Sequence, residues 1–138
     1  MKWIMSKLIK EVKKHNTNNP FVIAENRNII VNYFPLGNTL GFYMKNSRHQ
    51  IITLNSSIDD YLLKFVCAHE LGHAILHPNE NTPFLHKNTL ISKDKIEKEA
   101  NYWATKLLLF DVDVSAFETK YQLLTSLGIP SEMGRFIN

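Results

Sequence analysis

The chain has 138 residues and a single cysteine, Cys67. An intramolecular disulfide is therefore excluded, and the apolar run around Cys67 points to a buried, inert thiol. No apolar run approaches the roughly 18 residues needed to span a bilayer. The opening stretch, MKWIMSKLIKEVKKH, lacks the uninterrupted apolar core and small-residue cleavage site of a secretory signal. These absences lead to the expectation of a cytoplasmic protein without membrane contact. One-sided charge is also scarce. The formal net charge is +3, and the only dense basic run is KLIKEVKK. That run reads as the solvated face of a helix, so direct DNA binding is not expected. There is no internal repeat, low-complexity segment or linker. Hydrophobic residues make up 44% and charged residues 21%, which excludes a disordered or fibrous chain. The length suits one domain over residues 1–138, with 112–138 as a short C-terminal helical extension.

What is present reads as helices, then strands, then helices. Trp3, Ile4, Leu8, Ile9 and Val12 recur at helical spacing among lysines. NTNNP ends that helix, and PFVIAENRN suits a short second one with Pro20 in its first turn. IIVNYF, FYMKN and HQIITLN are β-branched and aromatic runs separated by turn residues, which predicts three strands in a small antiparallel-type meander. SSIDDYLLKFVCAHELGHAILHP is a long helix, with Ser57 as its expected N-cap and Pro78 as its stop. A loop of about a dozen residues follows. Ser92 is the expected cap of a further helix, KDKIEKEANYWATKLLLF. One or two short helices complete the chain, with Gly128 ending one and Ser131 capping another. The class is α+β.

The chemistry lies in VCAHELGHAILHP. His69 and His73 are four apart, so both imidazoles project from one helix face and can reach one ion. Glu70 lies one step round the helix and can act on water beside that ion. This is the arrangement of metal-assisted peptide hydrolysis. Gly72 costs the helix about 1 kcal/mol relative to alanine, so another group is expected to pack against it. Two histidines are too few for a catalytic zinc, which takes three protein ligands and an open position. His77 is two turns from His69, and one ion is not easily reached from both. It is expected instead as a C-terminal cap or as a hydrogen-bonding support behind the ligands. The next helix offers Asp94, Glu97 and Glu99. Its apolar face is Ile96, Ala100, Trp103, Ala104 and Leu107. Glu97 and Glu99 fall on opposite flanks of that face, and periodicity does not choose between them. Tyr102, His77 and His86 are the candidates for stabilising an oxyanion.

HELGHAILH followed by EKEANYWATKLLL resembles the ImmA/IrrE-type metallopeptidases, whose pattern is H-E-x-G-H and then E-A-x-x-F-A-x-x-L-L on the next helix. Here Trp103 replaces the usual phenylalanine, and LLLFDVD lacks the proline often found after the leucines. The resemblance covers roughly residues 15–110. It implies a bacterial, zincin-like domain holding one Zn²⁺, with the sheet above the cleft and an edge strand able to align an extended peptide. It assigns the two histidine ligands to His69 and His73, the general base to Glu70 and the third ligand to Glu99, leaving Glu97 at the surface or behind the ligands. By analogy with members carried by phages and integrative elements, the expected substrate is a helix-turn-helix repressor, whose cleavage releases the element's genes. The abundance of Asn, Lys and Ile suits a mobile-element origin. The alternative is a non-catalytic zinc-containing module that inhibits a regulator by contact. LLTSLGIPSEMGRFI has a faint likeness to a helix-turn-helix tail, but a plain packing helix is the expectation.

Overall fold

Ile4, Leu8 and Val12 are spaced four apart, and all three are buried along one side of helix α1 (Lys2–His15). Trp3 lies outside that stripe and is 46% exposed. Asn16 ends the helix in a left-handed conformation, φ 55°. The next helix, α2 (Pro20–Asn26), starts where the Asn19 side chain accepts a hydrogen bond from the Phe21 N–H. The computed structural model describes residues 1–137.

Strands β1 (Ile30–Phe34), β2 (Thr39–Asn46) and β3 (His49–Asn55) match the three expected runs. The sheet they form is larger than expected. It has four strands in the order β1-β3-β2-β4, with β4 (Leu85–His86) contributed by the segment read as loop. Nor is it a simple antiparallel meander. β2 and β3 form a hairpin, but β1 pairs with β3 in parallel, Ile30 opposite Ile51 and Phe34 opposite Asn55. The connection from β1 to β2 therefore crosses the end of β3. Asn55 fixes that crossing by donating to the carbonyls of Gly37 (3.0 Å) and Thr39 (2.9 Å).

Helix α3 (Asp60–Leu76) packs against the sheet. Its cap is Asp59, which accepts from the Leu62 N–H, and not Ser57. The Ser57 N–H is bound to the Asn55 side chain in the turn before the helix. At the other end of α3, Gln50 donates to the Ala74 carbonyl (2.8 Å) and to the Tyr43 hydroxyl (3.0 Å). That hydroxyl donates in turn to the Pro78 carbonyl (2.7 Å). The sheet thus grips the end of the helix that carries His73 and His77.

Helix α4 (Lys95–Leu108) is capped by Asp94, which accepts from the Ile96 N–H, while Ser92, two residues earlier, accepts from the Asp94 N–H. Its apolar face is buried against α3, with Trp103, Ala104 and Leu107 fully enclosed. Helix α5 (Lys120–Ser126) and a 3-10 turn (Ser131–Phe136) close the structure. Ser131 makes no side-chain cap there. Leu123, Leu124, Ile129 and Met133 join the same hydrophobic cluster as the rest of the core. Among the described residues, no helix is long and apolar enough to cross a membrane.

Candidate metal centre

One turn of α3 separates His69 from His73, and their ring centroids lie 4.8 Å apart. Glu70 joins them: one ligand atom from each of the three residues falls within 4.8 Å of the others. All three side chains are completely buried. Gly72 lets α4 close over this face. A Cβ at Gly72 would stand 3.0 Å from Trp103 Cδ1 and 3.2 Å from its Cγ, so the packing group expected opposite this glycine is Trp103.

That approach brings Glu97 to the histidines. Its carboxylate lies 3.4 Å from His69 Nε2 and 2.7 Å from His73 Nε2. Glu99, the residue that the family pattern puts in the third-ligand role, does not face the pair. It is two residues on, about 200° round the helix, and its carboxylate accepts from His77 Nε2 at 2.8 Å. Asn101 is one turn beyond Glu97 on the same face. Its Oδ1 is 2.8 Å from His69 Nδ1, and its amide nitrogen donates to the Leu90 carbonyl at 2.9 Å. His77 occupies the C-cap position of α3, and its Nδ1 is 3.1 Å from His73 Nδ1.

The remaining candidates lie elsewhere. His86 Nδ1 faces the Asn38 carbonyl and the Thr39 hydroxyl at the β2–β4 edge. Tyr102 packs edge-on against Phe136 with Lys106 over its ring, about 140° round α4 from Glu97. Neither is brought to the histidines. Asn101 is the site residue that sequence reasoning missed, and Glu97 is the candidate that periodicity left open and the resemblance set aside. Their four-residue spacing mirrors that of His69 and His73. Two buried polar pairs on facing helices is the signal that could have found them.

Burial without partners marks this cluster. His69 Nε2, His73 Nε2, Glu97 Oε2 and both carboxylate oxygens of Glu70 are buried and lack an aligned hydrogen bond. Such groups normally cost about 1–3 kcal/mol each. A cation facing all of them removes that cost, and two imidazoles with a carboxylate form a donor set suited to zinc. Their surroundings shift these groups in different directions. Burial pushes Glu70 up to about 8, well above an ordinary carboxyl. Burial would raise Glu97 too, but its contacts with His69 and His73 outweigh that and hold it at about 2. Burial drives His73 down to about 4. For His69, burial acts downward, yet the carboxylates of Glu70 and Glu97 prevail and raise it. Burial also pushes the Cys67 thiol up, so it stays protonated and inert.

A groove of about 570 Å³ runs between β2, at Phe42–Lys45, and the segment Pro78–Phe84. It starts at the residue after His77, and none of His69, Glu70, His73 and Glu97 lines it. Phe42 and Phe84 stack within it, centroids 4.4 Å apart.

A family profile, the IrrE N-terminal-like domain of the M78 peptidases, matches residues 24–127. The chain is 42% identical over 127 residues to immunity region protein 2 of Bacillus phage phi105, covering 88% of this chain and 80% of that one. It is 33% identical over 112 residues to the metallopeptidase ImmA of Bacillus subtilis (strain 168), covering 80% of this chain. The match spans 65% of that relative's length. No solved structure gives a significant match. With two histidines and a glutamate converging on one helix and the family profile spanning most of the sequence, the chain belongs to the ImmA/IrrE-type metallopeptidase family.

Proposed function

We propose that the chain is a zinc endopeptidase whose ion is held by His69, His73 and Glu97, with Glu70 as the general base. The supporting observation is the gathering of buried ligand atoms: both Nε2 atoms lie against the Glu97 carboxylate, and Glu70 offers a ligand atom within 4.8 Å of one from each histidine. Glu97 takes the ligand role in place of Glu99 because its carboxylate touches both imidazoles, while that of Glu99 is bound to His77.

A bound Zn²⁺ supplies Lewis acidity, polarising a peptide carbonyl and making water a stronger acid. The residues do the rest. Glu70 is buried and unpartnered, so its carboxylate is free to take a proton from water as the oxygen adds to the carbonyl carbon. As the C–N bond breaks, the same carboxyl returns that proton to the departing amine. His69 and His73 are held by Asn101 and His77, so neither has to reorient during the reaction. The groove along β2 offers an extended peptide a path that begins beside His77.

The substrate proposed is a helix-turn-helix repressor of a phage or integrative element. The names of the relatives support this, one an immunity region protein of a phage and the other a metallopeptidase. The test uses purified protein, Zn²⁺ and the repressor encoded beside it, with products identified by mass spectrometry. One internal cut is expected, and Glu70→Gln should bind zinc without cutting. Undiminished repressor cleavage by that variant would overturn the assignment. One observation favours a second reading, a non-catalytic metal-containing module: His69, Glu70 and His73 have no solvent exposure. Under that reading Glu70→Gln relieves repression as well as the parent does.

A further inference from the structure

An imidazole binds a cation only through the nitrogen that carries no hydrogen, so each ligand histidine must hold its proton on the other one. For His69 this is settled by one contact. Asn101 donates its amide to Leu90, so its Oδ1 is the atom facing His69 Nδ1 and can only accept. His69 then carries hydrogen on Nδ1 and leaves Nε2 bare.

For His73 the neighbour is itself ambiguous. His77 Nδ1 can donate or accept at 3.1 Å. Glu99 resolves this. With the Glu99 carboxylate as acceptor, His77 Nε2 carries the hydrogen, 2.8 Å away. With that hydrogen on Nε2, His77 presents its Nδ1 lone pair and accepts from His73 Nδ1. His73 Nε2 is left bare beside Glu97. The geometry points to His77 and Glu99 as a positioning pair that sets the His73 tautomer for metal binding, with Glu99 acting only through His77. The inference rests on the metal reading of the site and deepens it. It also accounts for the second buried glutamate of α4, Glu99, whose carboxylate bonds His77.

The test is Zn²⁺ affinity measured by chelator competition, with circular dichroism confirming the fold of each variant. Glu97→Gln, which removes a ligand, should lose more than about 100-fold. His77→Leu should lose about 10–100-fold. His77→Asn places an accepting oxygen near the position of Nδ1 and should stay within about 3-fold of the parent. Glu99→Gln should cost about 10-fold alone, because its amide can donate to His77 and reverse the relay, and nothing in the His77→Asn background. Should the leucine variant fail to fold, the asparagine background and Glu99→Gln carry the test. Parent-like affinity in His77→Leu would overturn the relay, as would an undiminished Glu99→Gln loss alongside His77→Asn. A parent that binds no Zn²⁺, or Glu97→Gln that binds normally, would overturn the metal centre itself and the relay with it.

Discussion

Replacing Glu70 by glutamine should remove catalysis and yet stabilise the metal-free protein. In the folded chain burial holds this carboxyl near 8, against an ordinary 4.5. A raised folded value means the folded state keeps its proton while the unfolded chain releases it. No cost exists below about 4.5, and the cost grows as pH rises towards 8. At pH 7 it amounts to about 3 kcal/mol, and at pH 5 to under about 1 kcal/mol. Glutamine fills the same space with no charge to lose. The metal-free Glu70→Gln protein should therefore gain up to about 3 kcal/mol at pH 7, or about 10 °C in melting temperature. The gain should nearly vanish at pH 5. Bound Zn²⁺ should shrink it, since a nearby cation favours the carboxylate. The assay is denaturant unfolding of parent and variant from pH 5 to 8, with a chelator and with Zn²⁺. A variant no more stable than the parent, or a difference that does not change with pH, would refute the reasoning that this charge is buried and unpaired.

Zinc affinity should fall with pH, because protons on His69 and Glu70 compete with the ion. Titration calorimetry in buffers of different ionisation enthalpy should show at least one proton released per zinc at pH 7, and none released would contradict it. Gly72→Ala should destabilise by about 1–2 kcal/mol despite the better helix propensity of alanine, because the new methyl meets fully buried Trp103. A thermal melt reads the sign directly. Gly128 has φ +71°, and a Cβ there would press on the Cβ and backbone of Tyr61. Gly128→Ala should cost more than about 2 kcal/mol in denaturant unfolding, while a neutral result would show that the turn relaxes freely.

The amphipathic α1, the strand runs of β1 to β3 and helices α3 and α4 were legible because each depends on local periodicity and nearby caps. The caps of α3 and α4 were legible only to within two residues. Ser57 and Asp59 are equally good acceptors in sequence, and the Asn55 turn decided between them. The order of the sheet was not legible. A parallel β1–β3 pair and a two-residue β4 depend on chain crossings and on a distant loop meeting β2.

The candidate site divides the same way. His69, Glu70 and His73 follow from the sequence alone, since a four-residue spacing on one helix fixes their common face whatever surrounds it. The third carboxylate does not. Glu97 and Glu99 flank the apolar face of α4 equally, and the family pattern favours Glu99. Only the packing of Trp103 against Gly72 sets the rotation of α4 on α3, turning Glu97 to the imidazoles and Glu99 to His77. A helix's own period says which residues share a face. Which of two flanks meets the neighbouring helix is a property of the contact between them, and only the tertiary structure contains that contact.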